Sequence, residues 1–212
     1  MNAFVNATLR GLRYSFHVIV HPFDGFWDLK HEKRGNGKAA VVIILALVLT
    51  VILCTQLSGF IVNNTDPEKT NVLQQIISVL LPFFLWCLSN WCITTLVDGE
   101  GSLKDIMITT AYALVPLILL NVPLIFVSNI ITVEEVPLYN LVLAISVLWS
   151  ALLLFIGIMT VHQFTVMKTL STILIALVGM LVIIFLAVLF ASVLQMAASY
   201  IAFLYKELSM RW

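Results

Sequence analysis

The residues best equipped for chemistry lie in one short hydrophilic stretch, Asp98-Gly99-Glu100-Gly101-Ser102-Leu103-Lys104-Asp105, with His21, Asp24, Asp28 and His162 as groups that could join it. Carboxylates gathered with imidazoles can hold a cation, bind a polar ligand or move protons. The spacing asks for none of these in particular. No histidine or cysteine follows a zinc pattern such as HExxH or paired CxxC, and GxSxG, P-loop and GxGxxG motifs are absent. No catalytic residue, metal or cofactor is therefore expected. The simpler account is a turn between helices, in which the two glycines supply the positive φ of a tight exit and Ser102, three residues before Asp105, caps the next helix.

The elements that must position this turn follow from composition. Of 212 residues, 61% are hydrophobic and 10% charged, well above the apolar share of a water-soluble domain, about 45 to 50%. Lys plus Arg equals Asp plus Glu at 11 each, so there is no basic footprint for a nucleic acid, which is not an expected partner. The charges are clustered and leave uncharged runs at 39–65, 70–97, 106–133, 136–167 and 169–205. A helix rises about 1.5 Å per residue against about 30 Å of hydrocarbon, so each run can cross a bilayer once. Spans are predicted at 39–62, 76–97, 106–127, 138–161 and 170–192. They lack the apolar-polar alternation of barrel strands and should be helices. The expected fold is all-α, a polytopic membrane bundle of five transmembrane helices surrounded by lipid.

Before the first span, Val5, Leu9, Leu12, Phe16 and Ile19 fall on one helical stripe, with Asn6, Arg10, Arg13 and His17 one position behind. This predicts an amphipathic interfacial helix, ended by Pro22 and Asp24-Gly25 and followed by the aromatic anchor Phe26-Trp27 and a mixed, net basic run. No cleavable signal is evident, so the first span should direct insertion. The last uncharged run, 37 residues, would extend roughly 55 Å as a helix, more than one crossing. Residues from Gln195 onward, with Tyr200, Phe203, Tyr205 and Trp212, are expected to lie along the far interface. Three regions result: 1–38, a cytoplasmic amphipathic helix and basic juxtamembrane segment; 39–194, the membrane domain; and 195–212, an interfacial tail. With 8 basic residues on the amino-terminal side and 3 on the other, the positive-inside rule places the amino terminus in the cytoplasm and the carboxyl terminus outside, in a cell membrane.

Within the spans no acidic or basic residue marks an ion pathway. Gln56, Asn90 and Asn121 are the strongest polar groups there and read as intramembrane contacts that join helices. Cys54, Cys87 and Cys92 also fall in spans and read as small packing residues. Pro82, Pro116 and Pro123 should bend their helices, which splays a bundle or opens pockets.

The turn at 98–105, followed by Ala111-Tyr112-Ala113-Leu114-Val115-Pro116, resembles the Gly-rich turn and "AYAL.P" helix start of the Yip (Ypt-interacting protein) domain family. His21-Pro22-Phe23-Asp24-Gly25-Phe26-Trp27-Asp28-Leu29 resembles the pre-membrane segment of its bacterial branch. The DLYGP-type motif of the eukaryotic branch is absent, so Rab-GTPase binding is not implied. What the resemblance implies is a membrane adaptor without catalysis, and an accessory role beside ABC-type sugar importers, whose genes often neighbour those of bacterial relatives. The function expected is thus a non-enzymatic integral membrane adaptor or accessory subunit that binds another membrane protein, such as ABC transporter permease subunits. Leu12, Phe16, Trp27, Asp98, Gly99, Glu100 and Gly101 are its expected contact residues. The alternative is a channel or carrier for a small solute with a site near Asn90, Asn121 and Pro116; a third reading is an enzyme using the carboxylates and histidines.

Overall fold

In a computed structural model, residues 2–32, 36–63 and 71–209 are described and form eight α-helices. Val5 and Asn6 at side-chain level, and Lys33, Arg34, Lys69, Arg211 and Trp212 altogether, lie outside the described residues. The helices are α1 Asn2–Val20, α2 Pro22–His31, α3 Gly37–Leu57, α4 Val72–Leu96, α5 Leu103–Ala113, α6 Val115–Ser128, α7 Val136–His162 and α8 Val166–Ser209, with a 3₁₀ turn at Val133–Glu135 leading into α7.

Among the described residues five helical stretches are long and apolar enough to cross a membrane: α3, α4, α5 with α6, the 3₁₀ turn with α7, and α8. They fall where the charge-free runs predict them. The third span is broken in two, because Pro116 has no N–H to give the preceding turn and its ring crowds the carbonyl four residues back. The first span is shorter than expected and stops at Leu57. There the chain turns at Ser58-Gly59, and the far ends of α3 and α6 are tied together. The Gly59 N–H donates to Ser128 Oγ at 2.9 Å, and Asn129 Nδ2 donates to the Leu57 carbonyl at 2.9 Å.

One expectation for the amino-terminal segment changes. Pro22 opens a helix rather than closing one, since its fixed φ and missing N–H suit a first turn. The Asp24-Gly25 pair then lies inside α2, where Gly25 comes so near α1 that an added Cβ would sit 2.9 Å from Val18 Cα. α1 meets the bundle through a face other than its apolar stripe. Gly11, Ser15 and Val18 are buried, while Leu9 and Phe16 of the apolar stripe stay 57% and 55% exposed. The crossing of α1 over α3 and α5 explains this choice: a Cβ on Gly11 would meet Ala39 Cβ at 2.6 Å, and the Tyr112 hydroxyl donates to the Gly11 carbonyl at 3.2 Å. α1 thus remains an interfacial helix, held to the bundle by its small residues.

Packing inside the bundle follows the same principle. Ser89 Oγ donates to the Ala176 carbonyl at 2.6 Å, joining α4 to α8 beside Gly179. Phe26, fully buried, drops from α2 onto Gly157 of α7 next to Thr109 of α5. α8 is one unbroken helix of 44 residues, about 65 Å long. Its first half packs on α4, and every side chain described from Ile184 to Glu207 is exposed. No break separates the fifth span from the expected tail, whose described part is the last stretch of this helix.

Candidate functional site

At the face where α2 ends, here called the near face, three segments converge: the C-terminal half of α2, the 97–102 turn, and the turn joining α7 to α8. α4 ends with Val97 as its cap, and Asp98 takes the left-handed conformation with φ 55°. No described glycine has a positive φ, so Gly99 and Gly101 are not there for the reason the sequence suggests. They are there for space. A Cβ on Gly99 would lie 2.6 Å from His162 Nδ1, and a Cβ on Gly101 would lie 2.6 Å from His162 Cε1. The imidazole is 2% exposed, so it has nowhere to retreat.

Hydrogen bonds fix this contact. The Gly101 N–H donates to His162 Nδ1 at 3.2 Å, and the Gly99 N–H donates to the Thr94 carbonyl at 2.8 Å. Nδ1 accepts and is therefore the bare nitrogen, which leaves the proton on Nε2. On its other side His162 stacks with Phe164 at 5.3 Å, and Lys168 Nζ sits 4.2 Å from the Phe164 ring centroid. Gln163 between them has φ 53°, the left-handed cap that ends α7.

Lys30 closes the arrangement. Its Nζ donates to Glu100 Oε2 at 2.9 Å and to the Val161 carbonyl at 2.8 Å, so one ammonium joins α2 to the turn and to the last turn of α7. A cation at the C-terminal end of α7 also faces the negative end of its dipole. Lys30 holds the Glu100 carboxyl below its ordinary range, through the hydrogen bond first and through charge second. Ser102 and Asp105 form the expected capping box, Asp105 Oδ2 accepting from Ser102 N at 3.1 Å and Ser102 Oγ accepting from Asp105 N at 3.3 Å.

The carboxylates and histidines do not assemble as a cation site. Glu100 is engaged by Lys30, Asp28 accepts the Tyr14 hydroxyl at 3.1 Å, and His21 stacks on His17 at 5.3 Å. Among the described residues no three His, Cys, Asp or Glu side chains gather closely enough to hold a metal ion. Lys30, His162 and Phe164 are the participants that sequence reasoning missed as a set. The run around Lys30 reads from sequence only as a mixed, net basic juxtamembrane segment, and nothing local ties it to a turn 70 residues away.

The other expected contact residues are dispersed. Leu12 is half-buried against the core, whereas Phe16 and Trp27 are exposed, Trp27 stacked on His31 at 3.8 Å. With Leu9, Val20 and Phe23 they give the α1–α2 hairpin an exposed apolar face. Gln56 is exposed at the far end of α3. Asn90 is fully buried in α4, and its side-chain amide has no hydrogen-bond partner among the described residues. Asn121 lies elsewhere, in the wall of a cavity of about 350 Å³ at the far end of the bundle, with Thr55, Ser58, Asn63, Tyr139 and Asn140. Asn90 and Pro116 do not border that cavity.

Comparison with known proteins agrees with this architecture. No curated protein and no solved structure matches the chain. The model of the Yip1 domain matches it over residues 16–205, from within α1 through all five membrane-crossing stretches to α8. A match over that much of the sequence, together with the five-span helical bundle, shows that the chain belongs to the Yip1 domain family.

Proposed function

We propose that this protein is a non-enzymatic adaptor or accessory subunit of the bacterial branch of the family, which docks on another integral membrane protein. The Yip1 family is not known as a family of enzymes. The observation that carries the reading is the exposed apolar face of the α1–α2 hairpin, Leu9, Phe16, Val20, Phe23 and Trp27. It is held at a fixed angle to the bundle by the Lys30, His162 and Gly101 interlock. A rigid apolar face beside the membrane presents a preformed contact, and preorganisation lowers the cost of association. The permease subunits of an ABC-type sugar importer are the partner proposed, with the near face in the cytoplasm of a cell and the far end of α8 directed outward, as the basic residues suggest.

The test is site-specific photo-crosslinking from Phe16 and Trp27 in native membranes. One stoichiometric permease adduct from each position, identified by mass, with the Trp27 adduct lost in Phe16→Ser, is the expected result. Adducts with lipid alone would overturn the reading.

A second reading, a carrier for a small solute, is favoured by the far cavity with its uncharged hydroxyl and amide wall. Liposomes containing the protein would then pass a neutral solute at a rate that Asn121→Leu abolishes. Tight liposomes would retire it.

A further inference from the structure

Halfway along the bundle a second cavity, of about 250 Å³, opens between α3, α4, the α5–α6 junction and α7. Leu47, Phe83, Trp86, Leu114 and Leu154 form its apolar wall. The proline inside α4 and the break between α5 and α6 meet here. Pro82 leaves the carbonyl four residues back without its helical donor, and Leu114 sits at the break imposed by Pro116. Leu47, Phe83 and Leu114 each stand within about one turn of the middle of the stretch that carries them. The cavity is therefore at the depth where a bilayer contains hydrocarbon alone. Pro82, exposed on α4, and the half-buried Val79 stand at its edge, so it opens sideways.

A space of this size is not left empty in a packed interior, where voids larger than a water molecule are few. The wall's polar groups, Thr110 Oγ1 and Trp86 Nε1, have no hydrogen-bond partner among the described residues and can hold a single water, whereas water filling the whole space would need two to four polar partners for each molecule. Apolar cavities of about 150 Å³ already admit benzene. We propose that this cavity is a lipid site: one acyl chain of a membrane phospholipid enters beside Pro82 and lies against Phe83, Trp86 and Leu114. The chain would fill the gap between Pro82 of α4 and the α5–α6 break and hold these helices at their separation.

The experiment uses the full chain with Trp86 as its sole tryptophan, the other four replaced by Phe, in vesicles of phosphatidylcholine brominated at mid-chain. Trp86 is 8% exposed. Its emission is expected to be strongly quenched relative to unbrominated vesicles, and filling the cavity by Leu154→Phe or Leu47→Phe should remove most of that quenching. Leu189→Phe, on the outer half of α8, should leave it unchanged. Equal quenching with the cavity open and filled would overturn the proposal. A check independent of the filling variants is photo-crosslinking with phosphatidylcholine that carries a mid-chain diazirine. Adducts on Phe83, Trp86 or Leu114 support the site, and adducts confined to outward residues such as Leu81 and Phe84 refute it.

Discussion

At the near face, small residues and polar atoms from three distant segments are interlocked, whereas from Ile184 onward α8 presents large apolar side chains to its surroundings on every side. In water the second arrangement would be untenable. In a bilayer, lipid tails are as apolar as leucine, so burying a large side chain against protein gains little. Close approach of backbones, made possible by glycine, alanine and serine, and hydrogen bonds shielded from water decide which helices touch. The near face is therefore where sequence changes should be costly, and the outer half of α8 is where they should be cheap.

The strongest test of that contrast is Phe26→Ala. The ring is fully buried between α2, Gly157 and Thr109, and truncating such a residue costs about 3 to 5 kcal/mol. Thermal unfolding in detergent should show the loss, with α2 becoming sensitive to protease. Gly101→Ala comes next: the added methyl meets His162 and Val161, and overpacking of this kind costs about 1 to 3 kcal/mol, read in the same assay.

The Lys30–Glu100 pair sharpens the contrast through pH. Because the Glu100 carboxyl is held below its ordinary range, its stabilisation is fully present above that range and fades as pH falls through the lowered value. Unfolding temperature measured from neutral to acid pH should decline accordingly, and Lys30→Met should flatten that part of the profile. Smallest of all, Leu189→Ala on exposed α8 should change stability by no more than about 0.5 kcal/mol. A loss comparable with that of Phe26→Ala would break the comparison and show the outer half of α8 to be covered by protein.

The spans were legible because charge is so costly in hydrocarbon that its absence over twenty or more residues leaves few alternatives. The Ser102–Asp105 cap was legible for a similarly local reason. What could not be read came from contacts between distant segments. Nothing near Gly99 announces that His162 lies against it, so the glycine suggested a backbone angle that Asp98 in fact adopts. Phe26 read as an interfacial anchor beside Trp27, yet only Trp27 is exposed. On α1 the large apolar stripe announced an interfacial helix, whereas the bundle contact through Gly11 and Ser15 carried no signal of its own in the sequence. Asn90 and Asn121 looked alike by type and are separated along the bundle, a distinction that only the register of α4 and α6 supplies.

The length of α8 bears on the membrane itself. An apolar rod of roughly 55 Å fits a film of about 30 Å only by leaning beyond the usual 0 to 40°, by bending along the surface, or by thickening the lipid around it. Each adjustment costs energy for every ångström of mismatch, and a thicker leaflet relieves it. Among these adjustments, a thicker hydrocarbon layer is the one that would let α8 stay straight and upright, so its length ties this protein to the thickness of the membrane around it.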